Sequence, residues 1–170
     1  MTINIVRAVF LISCALLTLS IGSYVEAAPS ARKRYQSPDK TLIAFVRTSK
    51  ASEAMEESRV EIRSASGRIM AKTDYTSRDA EHGYGVIKAI WTADSQFFVY
   101  SLESSGGHQP WHSPVFYFRR KDNKFINLDR QLKDAVMNPQ FSVQHPDKVT
   151  VELYFTKKKK TVSLSSLSQK

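Results

Sequence analysis

Apolar residues along this chain arrive in short bursts separated by polar turns, and the bursts follow more than one pattern. Arg59-Val60-Glu61-Ile62-Arg63 alternates polar and apolar side chains, the period of a strand with one buried face. Leu42-Ile43-Ala44-Phe45-Val46 is continuously apolar, which predicts a strand covered on both faces. A polar, acidic stretch from Thr48 to Glu57 predicts a loop between these two, and Ser66-Gly67 predicts a turn into Arg68 to Lys72. Further on, Val86 to Trp91, Gln96 to Leu102, Val115 to Arg119 and Lys124 to Leu128 read as four strands of an antiparallel meander. The last segment predicts a brief helix from Asp129 to Met137 with Asp129 as its cap, then short strands at 141–143, 149–155 and 161–164.

Three of the turns share one chemistry. Ser37-Pro38-Asp39-Lys40, Thr92-Ala93-Asp94-Ser95 and His145-Pro146-Asp147-Lys148 recur at a near-constant interval, and each leads into an apolar strand. Proline presets such a turn and aspartate accepts backbone hydrogen bonds across it. The stretches from Ser37 to Phe45 and from Trp91 to Tyr100 resemble the blade signature of TolB-like propellers, whose pattern is tryptophan, serine, proline, aspartate and glycine before an apolar strand. The glycine is missing from both copies, and the third copy lacks the tryptophan as well. This resemblance implies an all-β fold of antiparallel, blade-like meander sheets in two to three repeat units. A closed propeller takes at least about four blades, so the chain is too short for one, and a single compact domain over 37–166 is expected.

Composition adds a destination. Arg7, the apolar run from Ala8 to Ile21 and the small residues Ala27 and Ala28 read as a secretory signal peptide over 1–28, with Cys14 leaving in the leader. A basic, disordered lead-in is expected over 29–36. Cleavage would remove Arg7 and Glu26 together, so the formal charge of +9 persists in the exported chain. A periplasmic or secreted location follows, with no transmembrane segment after cleavage. The charge favours anionic partners; export and the absence of a nucleic-acid motif argue against nucleic acid.

Two clusters carry the candidate chemistry. The loop from Ser104 to Pro114 offers Ser105, Gly106, Gly107, His108, Trp111 and His112 as a ligand- or partner-binding surface, because loops on a rigid sheet are where binding residues concentrate. Lys157, Lys158, Lys159 and Lys160 offer an anion-binding run, or a charged guard on an exposed sheet edge. Pro110 separates His108 from His112, so helical metal-ligand spacing fails and no metal or cofactor is expected. No nucleophile elbow occurs and no pair of acids stands out, so no catalytic residue is assigned. The leading expectation is an exported, non-enzymatic module that presents loops to an envelope or secreted protein or to a ligand. A small secreted hydrolase using loop 104–114 and a binder of anionic surface polymers stand as alternatives.

Overall fold

A strand buried at successive positions needs a neighbour on each face, and in this protein that strand is the sixth, not the second. The computed structural model describes residues 32–50, 56–107 and 109–167. Among them, β1 (Arg32–Gln36), β2 (Leu42–Lys50), β3 (Glu56–Ser64) and β4 (Ile69–Asp74) form a first sheet in sequential order. The middle sheet holds β5 (Tyr84–Trp91), β6 (Phe97–Ser104), β7 (Val115–Arg119) and β8 (Lys124–Asn127), again in order. A third sheet is built from β9 (Ser142–Gln144), β10 (Lys148–Glu152) and β11 (Lys159–Ser163). Every pairing is antiparallel, and the sheets close into neither a barrel nor a propeller.

Strand β6 is central because successive side chains point to opposite faces. Phe98, Tyr100 and Leu102 pack with Leu42, Ala44, Val46, Val60 and Ile62 of the first sheet. Phe97 and Val99 face the other way, into a second core with Val149 and Val151 of the third sheet. The middle sheet is therefore the filling of a three-layer stack. In β2 only alternate residues are buried, and Ile43, Phe45 and Arg47 lie on the outward face of the first sheet. The expectation that β2 is covered on both faces is thus corrected: its sheet ends the stack.

Two local expectations also change. Residues 32–36, expected in the disordered lead-in, pair along β2 as β1. Burial accounts for it: the Tyr35 ring packs 5.5 Å from Phe98, and its carbonyl accepts the Trp91 indole N–H at 2.9 Å. The helix, α1, spans Leu128–Leu132 and is capped by Asn127, whose side chain accepts from the Arg130 amide. Asp129 turns inward instead. A second short helix, α2 (Leu164–Leu167), follows β11.

The recurring turn is one structure at its first two sites. Ser37 exchanges hydrogen bonds with Leu42 at 2.9 and 3.0 Å while Asp39 accepts from the Ser37 hydroxyl at 2.6 Å and the Thr41 amide at 3.1 Å. Thr92, Phe97, Asp94 and Gln96 repeat this pattern at 2.9, 3.0, 2.6 and 3.0 Å. Lys40 and Ser95, in the place of the resembled pattern's glycine, take left-handed φ angles of 60° and 59°. His145 brings no hydroxyl to the third site, and Asp147 there accepts from the Ser163 hydroxyl and the Ser165 amide at the start of α2.

Candidate functional site

The loop between β6 and β7 is held firmly at both ends, and each hold uses a buried carboxylate. At the first end Ser105 is 3% exposed. Its hydroxyl donates to Glu57 Oε1 at 2.8 Å and accepts from the Gly83 amide at 3.1 Å. Glu57, itself 2% exposed, also accepts from the Ser77 amide and hydroxyl and from the Gly83 amide at 2.7, 2.6 and 2.8 Å. Burial pushes the Glu57 carboxyl up, but the hydrogen bonds from Ser77, Ser105 and Gly83 outweigh it and hold it below the ordinary carboxylate range. A side chain at position 83 would meet the Glu57 carboxylate at 2.3 Å and the Tyr75 carbonyl at 2.5 Å, so glycine is required for this approach.

At the second end, His112 Nε2 lies 2.8 Å from Asp129 Oδ2 and Nδ1 lies 3.2 Å from Gln109 Oε1. Asp129 is 8% exposed and also accepts from the Val115 and Val136 amides, each at 3.1 Å. The Ser113 amide donates to the Val136 carbonyl at 2.9 Å. Between these anchors Gly107 takes a φ of 65°, and Gly107, Gln109, Pro110 and Trp111 are exposed while Gly106 is half-buried. The Trp111 side chain stands outward at 51% exposure instead of covering the core. His108 lies outside the described residues.

The four lysines do not act as one run. Lys157 folds back, with its ammonium 3.9 Å from the centre of the Tyr154 ring and 3.6 Å from Met137 Sδ. Lys159 and Lys160 lie on β11 opposite Glu152 and Val151, so they point to opposite faces of an edge strand. All four are exposed.

What joins the two clusters is the stretch 128–137. Asp129 fixes the histidine loop, and Asp134, further along the same stretch, fixes the other by accepting from the Phe155 amide at 3.1 Å and the Thr156 hydroxyl at 3.3 Å. The Tyr154 amide donates to the Ala135 carbonyl at 2.7 Å and the Met137 amide to the Glu152 carbonyl at 2.9 Å. Phe155, expected inside a strand over 149–155, lies beyond β10, which ends at Glu152, and is 75% exposed. Its signal was the adjacent Tyr154-Phe155 pair at a strand end, which reads as core until the chain's direction there is known.

Among the described residues, no group of three or more His, Cys, Asp or Glu side chains is placed to hold a metal ion, and no helix is long and apolar enough to cross a membrane. His82 pairs with Asp79 at 2.6 Å, apart from the His112–Asp129 pair. No protein-family model, curated protein or solved structure matches the chain.

Proposed function

We propose that this protein is an exported, non-enzymatic binding module of TolB-like repeat units, whose loops on one stretch of backbone engage an envelope or secreted protein. The observation that carries this reading is the shared anchoring of Trp111 and Phe155. Two large aromatic side chains are exposed on loops whose backbones are tied by buried carboxylates to residues 128–137. Rigid, exposed aromatics of this kind are the anchors that dominate protein interfaces. Lys157, beside the Tyr154 ring, adds positive charge that favours an acidic rim on the partner. The paired hydroxyl turns at Ser37 and Thr92 support the repeat reading.

A hydrolytic role for the same loop fits less well. Both ring nitrogens of His112 face groups of the protein itself, and the Ser105 hydroxyl is spent on Glu57. The test is capture of envelope proteins by the immobilised protein, compared with Trp111→Ala and Phe155→Ala. Each variant should keep its thermal unfolding midpoint and lose at least tenfold in affinity for the captured partner. Unchanged capture by both would refute the reading. Replacing His112 is a poorer probe, because it strips a partner from buried Asp129.

A further inference from the structure

The outward face of the first sheet carries a concentration of arginine that its fold does not need. Cross-strand register places Arg32, Arg47 and Arg59 side by side on β1, β2 and β3, with Asp74 closing the row on β4. The next row on that face is Arg34, Phe45, Glu61 and Lys72. Like charges directly opposite each other destabilise a sheet, and neighbouring strands are only about 4.8 Å apart. Asp74 pairs with Arg59 at 2.8 Å, and Glu61 is taken by Arg63. On these rows only those two side chains are acidic, so the cations are in surplus.

The surplus is organised. The Phe45 ring carries the Arg32 guanidinium 3.6 Å above its centre, with that of Arg63 at 5.8 Å. Arg47 Nε is buried and has no hydrogen-bond acceptor among the described residues. A buried donor without an acceptor costs free energy unless a ligand supplies one. Beside it lies a depression of about 340 Å³ lined by Arg47, Arg59, Glu61, Lys72 and Asp74 among others.

We infer that this depression is an oxyanion site that takes the phosphate groups of a polyanionic ligand, on a surface separate from the Trp111–Phe155 loops. Planar guanidinium forks bind tetrahedral oxyanions through paired N–H bonds, and several forks at strand spacing suit a ligand with more than one phosphate. Arg47, Arg59 and Lys72 supply the cationic lining. Glu61 and Asp74 also line the depression, each paired with an arginine, Arg63 and Arg59 respectively.

Calorimetric titration of the purified protein with inorganic tripolyphosphate at low ionic strength tests the site. Wild type should bind at one site, weakened at least tenfold by Arg47→Gln and by Arg59→Gln, the latter at a side chain that is 61% exposed and tolerant of change. The Lys158→Gln variant, which removes the same single charge, should stay within twofold. Sedimentation with phosphatidylglycerol vesicles, against phosphatidylcholine vesicles, distinguishes the source of the phosphate. Vesicle binding that depends on Arg47 supports the site with a lipid headgroup as ligand, and tripolyphosphate binding alone supports it with a soluble polyanion. Equal weakening by all variants, or binding of neither probe, overturns the inference.

Discussion

Replacing Glu57 by Gln swaps one carboxylate oxygen for an NH2 group while keeping size and shape. Oε1 accepts from the Ser77 hydroxyl, the Gly83 amide and the Ser105 hydroxyl, so the amide carbonyl will settle there. The NH2 group must then face the Ser77 backbone N–H, which now sits 2.7 Å from Oε2. Two donors meet, and a half-buried amide loses its acceptor at a cost of about 1–3 kcal/mol. The remaining bonds lose their charge assistance, which adds about 1 kcal/mol or more. Glu57→Gln should therefore destabilise the protein by about 3 kcal/mol, read from urea unfolding with an unchanged m-value.

The pH dependence supplies an independent check on the same variant. The Glu57 carboxyl is held below the ordinary range in the folded state, so its stabilisation is complete above the unfolded-state pKa and is lost as pH falls through the folded-state value. The difference between wild type and variant should be full at neutral pH and shrink on acidification below about pH 4. A cost under about 0.5 kcal/mol, or a difference indifferent to pH, would refute the view of Ser105 as an anchor and return it to the candidate site.

Two further substitutions probe the backbone. Lys40→Gly should stabilise the protein by about 0.5–1 kcal/mol in thermal or denaturant unfolding, because Lys40 holds a φ of 60° that glycine adopts without strain; Ser95→Gly should show no such gain, because it deletes the hydroxyl that accepts the Asp39 amide at 3.0 Å. Gly83→Ala should cost about 2 kcal/mol or more, because its Cβ collides with the Glu57 carboxylate and the Tyr75 carbonyl, and near-normal stability would show that the 2.3 Å approach relaxes freely.

Local pattern made the strands legible because their edges coincide with turn residues. The middle sheet matches its sequence reading strand for strand, since each burst is bounded by glycine, proline, aspartate or asparagine. Strand β1 was not legible: Arg32-Lys33-Arg34-Tyr35-Gln36 has one apolar anchor, and its order comes from Phe98 and Trp91, far along the chain. Which apolar run lies at the centre depends on how sheets stack, and β2 and β6 do not differ enough locally to reveal it. Asp129 looked like a cap because position alone suggests one, yet a carboxylate able to satisfy two buried amides and a histidine gains more by turning inward. The arginine rows become visible only once strand register is known.

The stack ends where its outer faces become polar. The first sheet presents the arginine rows, and β10 and β11 of the third present Thr150 and Thr161, whose hydroxyls meet 2.7 Å apart, with Glu152 beside them. Completing a propeller ring with a second copy would bury both faces, and desolvating those guanidinium groups would cost more than the few carboxylates return. The junctions inside the stack are not equivalent either. Ser95 and Arg120 reach Asp39 and lock the first sheet to the middle one, whereas the third sheet is joined to the middle one by the packing of their facing side chains, by residues 128–137 and by Lys88 of β5, which donates to the Phe141 carbonyl at 2.6 Å. The stretch that anchors the Trp111 and Phe155 loops is thus also a brace, and under the proposed function a partner bound to those loops would stabilise the junction between the middle and third sheets by mass action.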